Sequence, residues 1–315
     1  MIKISDLRHY TNRIKYIFFQ KVFNYATSDI YNTKKFTEFN ENSELVILSM
    51  VQKKDMSMYL IAIKSLLRFL SVHKVIIVCD QNLTASDKSI LKEHIEKLEL
   101  YDAADFRHKK LPKGGCWERL AAIARFSNDY YVIQMDADTL TLTNPMEIIE
   151  ATHKNTPFIL GSEERFNKKI TLLEMNEIAK GWISKGSNHV QVFCENELSN
   201  LTEMPSYKYY IRGCAGFAGF PKKSISTDEL IHLSNVFYEK LNSRWLEWGT
   251  EQFASNLILS NLNDVAVLPL LEYTTPDNFN GKNTFLHFIG YLRFTSFLYQ
   301  KLAVNFIKQM MSTKA

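Results

Sequence analysis

Long hydrophobic runs are absent from the sequence. No stretch of the 315 residues approaches the roughly 18 consecutive apolar residues that a membrane-spanning helix needs. The first 23 residues also lack the apolar core and the small-residue cleavage site of a secretory signal. We therefore expect a cytoplasmic protein.

Cysteine is scarce, and the few cysteines are scattered. Cys79, Cys116, Cys194 and Cys214 lie far apart in the chain, and no two of them form a Cys-x-x-Cys pair. This spacing argues against a zinc site and against a disulfide framework, and it fits a reducing cytosol. We interpret all four as small, buried apolar residues.

An excess of charge of one sign is also missing. The 38 lysines and arginines stand against 34 aspartates and glutamates, which leaves a net charge of +4. Proteins that bind nucleic acid concentrate more basic charge than this, so nucleic acid is not an expected partner. Hydrophobic residues make up 46% of the chain and charged residues 23%, which is typical of a folded globular protein.

Apolar runs of strand length alternate with stretches of helical spacing in the first half of the chain. The strand candidates are ELVILSMV (44–51), HKVIIVCD (73–80) and DYYVIQM (129–135), and helical patterns occupy 56–70, 84–100 and 116–128. Continuous apolar strands are typical of a sheet that helices cover on both faces. The alternation therefore predicts a single α/β domain with a mixed, mainly parallel central sheet flanked by helices.

The second half of the chain is less regular. The segment RGCAGFAGF (212–220) is rich in glycine, which predicts a turn between strands. Helical patterns follow at 226–242 and 250–261, and VAVLPL (265–270) reads as a further strand.

Both ends of the chain are basic and amphipathic. We expect an N-terminal amphipathic helix and linker over 1–43, a central domain over 44–290 and a C-terminal amphipathic helix over 291–315. Two interpretations of the end helices stay open. They either pack on the central domain or lie on an anionic membrane surface as peripheral anchors.

Two aspartates follow the third apolar run directly. Asp136 and Asp138 are spaced i and i+2, and in open α/β sheets the ligands bind beyond the carboxyl ends of the strands. Two carboxylates placed there can share one hard cation, Mn²⁺ or Mg²⁺, which keeps coordination positions free for diphosphate oxygens. We predict a divalent metal site at this turn; the alternative is a solvated acidic turn.

Four segments carry a resemblance to a known family. They are ERLAAIARFSNDYYVIQMDADTLTLTNPMEI (118–148), RGCAGFAGF (212–220), Glu251-Gln252 followed by Asn256, and HFIGYLR (287–293). In this order they resemble the donor-binding core of GT-A glycosyltransferases, in particular the retaining group called family 8, which includes glycogenin-like and lipopolysaccharide-galactosyltransferase-like enzymes. The resemblance implies a GT-A catalytic domain over 44–290.

The resemblance also implies roles for individual residues. His287 would be the third metal ligand beside Asp136 and Asp138, Gly290 would let the backbone approach the diphosphate, and Arg293 would pair with phosphate oxygens.

Further roles concern the donor sugar. Arg119 would reach the sugar or the diphosphate, and Gly216 belongs to the segment beneath the sugar. Gln252 would lie under the reactive face of the sugar, while Glu251 would bind the acceptor, orient its neighbour, or act as base in an inverting enzyme.

Two positions depart from the family pattern. The first strand ends in Ser49-Met50-Val51-Gln52, without an acidic residue for the nucleotide base; Ser49 and Gln52 remain the candidates for hydrogen bonds to the base. Cys214 stands where the family has an asparagine that contacts the sugar.

The function implied is transfer of a sugar from a nucleotide-diphosphate donor to an acceptor hydroxyl, with a divalent metal as cofactor. The acceptor implied is a glycan or lipid-linked glycan in bacterial surface polysaccharide or lipopolysaccharide assembly. Alternative hypotheses are a glycosyltransferase that modifies protein or DNA, a sugar nucleotidyltransferase, and a non-catalytic nucleotide-sugar-binding protein. The sugar, the base, the linkage and the oligomeric state stay open.

Overall fold

The computed structural model describes the backbone of residues 4–312 and the side chains of residues 13–290 and 292–312. Its helices are α1 (Ile4–Ala26), α2 (Met56–Leu67), α3 (Ala85–His94), α4 (Trp117–Phe126), α5 (Met146–Lys154), α6 (Leu172–Ser184), α7 (Val190–Asn196), α8 (Thr227–Leu241), α9 (Thr250–Ser260) and α10 (Leu298–Ser312). Its strands are β1 (Leu45–Val51), β2 (Lys74–Cys79), β3 (Leu98–Asp102), β4 (Tyr131–Met135), β5 (Thr139–Thr141), β6 (Phe158–Leu160), β7 (Ile170–Thr171), β8 (Tyr209–Tyr210), β9 (Cys214–Phe220), β10 (Ala266–Val267), β11 (Tyr273–Thr274) and β12 (Phe285–His287).

A seven-stranded sheet forms the centre of the domain, in the order β10-β6-β9-β4-β1-β2-β3. Neighbouring strands are parallel except for β9, which runs antiparallel to β4 and to β6. Alternate residues of β1 enter two separate cores: Ile47 and Val51 belong to one, Val46 and Leu48 to the other. This arrangement explains the unbroken apolar strands, and it confirms the predicted mixed, mainly parallel α/β sheet.

A second, smaller sheet has the order β11-β12-β5, and its strand β5 follows β4 after the turn that carries the two aspartates. Its central strand β12 runs antiparallel to β5, with His287 opposite Thr139. The ladder continues through the Phe288 N–H, which donates to the Asp138 carbonyl oxygen at 2.8 Å. The late histidine segment is therefore fixed beside the turn that carries the two aspartates.

The glycine-rich segment 212–220 is a strand, and the predicted turn is wrong. Residues Cys214–Phe220 form β9, which lies inside the central sheet. Gly219 is required there because a Cβ would lie less than 3.0 Å from the Tyr131 hydroxyl and the Phe158 ring. The glycines thus mark close packing within a strand.

The helix predicted over 84–100 ends early. It stops at His94, where Ile95 turns to extended geometry and bridges to Phe36, and Leu98–Asp102 forms the edge strand β3. The few apolar residues after His94 fit the spacing of a helix and the spacing of a strand equally well. Only pairing with β2 decides that the segment forms a strand. The strand expected over 265–270 is limited to Ala266–Val267, and the helix expected from Tyr291 begins at Leu298.

The two end helices, α1 and α10, pack against each other and against the domain. The Phe23 ring lies 4.4 Å from Tyr299 and 5.4 Å from Phe294, and the Tyr16 ring lies 5.2 Å from Phe294. Among the described residues, no helix is long and apolar enough to cross a membrane.

A buried lysine fastens the segment after α1 to the domain. Lys64 of α2 donates to the Thr33 hydroxyl at 2.8 Å and to the Lys34 carbonyl oxygen at 2.7 Å, and its Nζ lies 2.9 Å from Nδ1 of His94. Burial, reinforced by the Lys64 charge, lowers the pKa of His94 to about 4. His94 therefore stays neutral at pH 7 and accepts a hydrogen bond from the ammonium.

The His94 contact predicts a loss of stability in acid. The unfolded chain binds a proton at His94 near its ordinary pKa of about 6.5, whereas the folded protein does so only near 4, so the free energy of unfolding falls as the pH drops between these values. His94→Asn keeps an oxygen acceptor for Lys64 and removes the titration. Urea unfolding at pH 7 and pH 4 should show a smaller loss for His94→Asn, by on the order of 2 kcal/mol.

The exposed His153 offers the control for this experiment. His153→Asn should show the same pH dependence as the unaltered protein. Equal pH dependence of His94→Asn and the unaltered protein would contradict the prediction.

Candidate active site

Three side chains converge at the carboxyl edge of the central sheet. Asp136 and Asp138 lie in the turn between β4 and β5, and His287 ends β12. Nε2 of His287 lies 3.3 Å from Oδ1 of Asp138 and 3.8 Å from Oδ2 of Asp136. Each residue offers one ligand atom, and these three atoms all lie within 4.8 Å of one another. This spacing can hold a metal ion.

Two arginines bind the outer oxygens of the same carboxylates. Arg119 of α4 donates from Nη1 to Oδ1 of Asp136, and Arg293 donates from Nη2 to Oδ2 of Asp138. Each aspartate therefore gives one oxygen to an arginine and turns the other towards His287. The positive charges allow two carboxylates to approach each other at a largely buried site.

The surroundings hold Asp138 ionised. Burial alone would raise the pKa of Asp138, but His287 and Arg293 outweigh burial and lower it to about 2. Burial alone would lower the pKa of His287, whereas Cys214 and Asp138 raise it well above the ordinary value. The carboxylates thus provide a site for positive charge.

Strand β9 packs against the imidazole ring of His287. The Asp136 N–H donates to the Gly216 carbonyl oxygen at 2.8 Å, which extends the β4–β9 ladder to the cluster of Asp136, Asp138 and His287. A Cβ at Gly216 would lie less than 3.0 Å from three atoms of the His287 ring. Sγ of Cys214 lies 3.4 Å from Nδ1 of His287, on the side of the ring away from the aspartates.

The donor set fits a divalent cation of the Mn²⁺ kind. Two carboxylate oxygens and one imidazole nitrogen combine the hard oxygen ligands that Mg²⁺ and Mn²⁺ prefer with a nitrogen that Mn²⁺ accepts more readily than Mg²⁺. Three protein ligands also leave positions for substrate oxygens.

Helix α9 brings two more of the predicted residues to the cluster. Glu251 is buried and accepts from Nη2 of Arg119 at 3.2 Å; burial raises its pKa to about 6, and Arg119 opposes the rise. Oε1 of Gln252 accepts from the Ala215 N–H at 3.2 Å. The helix is therefore tied to α4 and to β9 at its first turn.

Two connected cavities open onto the aspartates. One, of about 410 Å³, is lined by Gly216, Gln252 and Gly290 among others, and the other, of about 300 Å³, is lined by Gln52, Asp55 and Asp80 among others. Asp136, Asp138, Arg119, Arg293 and Trp248 line both cavities. Gly290 has φ +43°, so the backbone beside the cleft adopts a conformation that favours glycine.

Ser49 is the predicted site residue that lies elsewhere. It is completely buried beneath α2, with its hydroxyl near that of Tyr59, and it does not line the cleft. Successive residues of a strand face opposite sides, so Met50 and Gln52 reach the cleft while Ser49 enters the core. The roles assigned to the other residues stay predictions.

Several cleft residues were not anticipated from the sequence. Asp55 and Asp80 follow β1 and β2, and the exposed Trp248 precedes α9. Their positions after strands were a usable signal for the two aspartates. Gln191, on α7, reaches the cleft from a helix without any recognisable motif.

Comparison with known proteins identifies the fold. Among solved structures, the apo form of the bifunctional glycosyltransferase WbbM aligns with 87% of this chain at 12% identity and a TM-score of 0.51, and the chain spans 50% of the length of that protein. The galactosyltransferase LgtC, in complex with donor and acceptor sugar analogues, aligns with 85% of this chain and 97% of its own at 10% identity and a TM-score of 0.45. Mouse xyloside xylosyltransferase 1 aligns with 77% of this chain and 97% of its own at 13% identity and a TM-score of 0.43.

No protein-family model matches the sequence, and no curated protein matches it. The likeness to WbbM confirms the expected α/β fold of GT-A glycosyltransferases. A shared fold does not by itself determine activity or substrate, which depend on the residues of the site.

Because Gly216 packs closely against the His287 ring, we predict that Gly216→Ala impairs metal binding. The added methyl group must displace the imidazole, so we expect the affinity for Mn²⁺, measured by titration with electron paramagnetic resonance, to fall by about tenfold or more. Gly181→Ala is the matched control, because a Cβ there meets nothing within 4 Å inside α6. Equal Mn²⁺ affinity of the two variants would contradict the prediction.

Proposed function

We propose that this protein is a metal-dependent glycosyltransferase that moves a sugar from a nucleotide-diphosphate donor to an acceptor hydroxyl. The observation that carries the proposal is the convergence of Asp136, Asp138 and His287 at the carboxyl edge of a GT-A-type sheet. These residues come from distant parts of the chain and offer one ligand atom each to a single point. A solvated acidic turn would need no buried histidine there.

Asp136, Asp138 and His287 are the residues that would hold the cation. When bound, it would neutralise the charge that develops on the departing nucleoside diphosphate.

Two arginines are placed to share that task. Arg293 lies beside Asp138 at the mouth of the cleft, next to Gly290. Its planar guanidinium can give two parallel hydrogen bonds to phosphate oxygens. Arg119, on the opposite side, links Asp136 to Glu251 and would face the sugar end of the donor.

The nucleoside would occupy the cavity that Gln52, Asp55 and Asp80 line. Gln52 offers an amide for the base, and the carboxylates offer acceptors for ribose hydroxyls. This cavity lies at the carboxyl ends of β1 and β2, and nucleotides bind at the carboxyl ends of strands in open α/β sheets.

We propose transfer with retention of configuration. Glu251 is the candidate carboxylate base for an inverting enzyme. Glu251 is buried and bound to Arg119, so it is poorly placed to take a proton from an acceptor. Gln252 is uncharged and lines the cleft, as a group that stabilises positive charge on the sugar would.

The acceptor would enter from the far side of His287. A third cavity of about 690 Å³ meets the cleft at Cys214, His287 and Ile289. Hydroxyl, amide and carboxylate groups line it, including Thr274 and Asn278, which suits a sugar acceptor. The class of acceptor that we propose is the glycan or lipid-linked glycan of a bacterial surface polysaccharide or lipopolysaccharide.

Metal-dependent binding of the donor is the direct test. In a thermal-shift screen of UDP, GDP, ADP and CDP with Mn²⁺ present and absent, one nucleotide should raise the melting temperature by several degrees only when Mn²⁺ is present. A ligand at about 100 times its Kd adds roughly 2.7 kcal/mol to stability. Asp138→Asn should abolish the rise.

Asp129→Asn serves as the control, because Asp129 is an exposed aspartate just before the same strand. It should leave the Mn²⁺-dependent shift unchanged. Metal-independent shifts with every nucleotide, or none at all, would refute the proposed function. The anomeric configuration of a transferred sugar, read by proton NMR, decides between retention and inversion.

We also propose that the end helices contact an anionic membrane surface. Ile14, Ile17 and Phe18 are 51%, 41% and 55% exposed, although α1 already buries Phe23 on its other side. The half-exposed Phe297 ring extends this patch through Phe19 at 4.8 Å. Exposed basic residues lie on the same two helices: Arg13, Lys15, Lys21, Lys301 and Lys308.

Flotation with liposomes tests the membrane contact. The full-length protein should float with phosphatidylglycerol vesicles at low salt and not with phosphatidylcholine vesicles, because both apolar insertion and basic charge contribute. Phe18→Asp should abolish flotation, whereas Leu173→Asp, at an equally exposed leucine on α6, should not. If the unaltered protein stays at the bottom of the gradient while the phosphatidylglycerol vesicles float, the membrane contact is ruled out.

A further inference from the structure

A chain of three side chains leads from the cleft into the interior. Gln252 lines the cleft, and its Nε2 lies 2.9 Å from Oε1 of Gln191 on α7. Nε2 of Gln191 lies 3.0 Å from Oε1 of Glu195, one turn further along the same helix. Gln191 is 2% exposed and Glu195 is 0% exposed, so water cannot replace these contacts.

The carboxylate at the inner end gives the chain its direction. An ionised carboxylate only accepts hydrogen bonds, whereas each amide has one donor end and one acceptor end. Glu195 therefore holds the amino end of Gln191 towards itself and the oxygen of Gln191 towards Gln252. That oxygen in turn holds the amino end of Gln252, which leaves the oxygen of Gln252 at the Ala215 N–H, 3.2 Å away on the wall of the cleft.

Arg212 keeps the carboxylate in place. Its Nε donates to Oε1 of Glu195 at 2.9 Å, while Oε2 of Glu195 is buried without a hydrogen-bond partner. The Tyr210 hydroxyl lies 3.3 Å from Nε2 of Gln191 and completes the surroundings. Burial of an ionised carboxylate is costly, and the charge of Arg212 offsets part of that cost.

We propose that Glu195 is a positioning residue that acts through Gln191 to keep the oxygen end of Gln252 at the cleft. The amide oxygen is the end that can stabilise positive charge on a sugar, whereas the amino end would repel that charge. The inference rests on the proposed function in so far as Gln252 faces the donor sugar. The orientation of Gln252 itself can be tested without turnover.

The first experiment observes the side-chain amide of Gln252 by NMR. In protein labelled with ¹⁵N-glutamine, its signal is assigned by its loss in Gln252→Ala. Burial raises the pKa of Glu195 to about 7 despite Arg212, so spectra are recorded at pH 8, where the carboxylate is ionised. Glu195→Leu removes the acceptor that holds the amino end of Gln191, so either end of the Gln191 amide can face Gln252 and the Gln252 signal should shift or split into two.

Glu195→Gln is the matched control, because Arg212 holds the oxygen of its amide at the place of Oε1, where that oxygen still accepts from Gln191. It should leave the Gln252 signal in place. An unmoved signal in Glu195→Leu overturns the proposal. A moved signal supports it even if no donor is ever turned over, in which case only the proposed function fails.

The second experiment is a double-mutant cycle on the turnover of sugar donors that carry the nucleotide identified by the thermal-shift screen, measured as release of that nucleoside diphosphate. Glu195→Leu should lower kcat about tenfold to a hundredfold and change KM for the donor less than twofold, because it misplaces a group that acts in the transition state. In a Gln252→Ala background the same substitution should have no further effect on kcat. An equal loss of kcat in both backgrounds would show a structural role instead and overturn the proposal.

Discussion

The pairing of two aspartates with two arginines and one histidine is the interaction on which the site depends. Asp136 and Asp138 could not stand side by side at a largely buried sheet edge without compensating charge. Arg119 and Arg293 supply that charge from opposite sides, and His287 lies between the free oxygens. Each partner comes from a different element, so the cluster also joins α4, the β4–β5 turn and the segment after β12.

Close backbone approach is the second constraint, and β9 provides it. This strand runs antiparallel inside an otherwise parallel sheet and carries Gly216 opposite the start of the aspartate turn. The missing side chain leaves room for the His287 ring, and the neighbouring Ala215 N–H holds Gln252. One strand thus seats the imidazole on one side and orients the first turn of α9 on the other.

Charge also organises the region behind the cleft. Arg119 binds Glu251, and Arg212 binds Glu195, so each buried glutamate next to the cleft has its own arginine. The two pairs differ in what they touch. Glu251 contacts Arg119, which binds Asp136, whereas Glu195 is linked to Gln252 through the amide of Gln191.

The sequence by itself determined the alternation of strands and helices, the α/β fold class and the two aspartates after the third strand, because periodicity and i, i+2 spacing are local properties of the chain. The approach of His287 and Arg293 followed from the family resemblance, and only the antiparallel pairing of β12 with β5 places them at the cluster. Tertiary packing decided the rest. It made a strand of the glycine-rich segment, it turned Ser49 into the core while Gln52 reached the cleft, and it brought Gln191 and Glu195 behind Gln252. Contacts between residues distant in the chain leave no periodic signal, because a side chain's direction depends on strand register and on what packs against it.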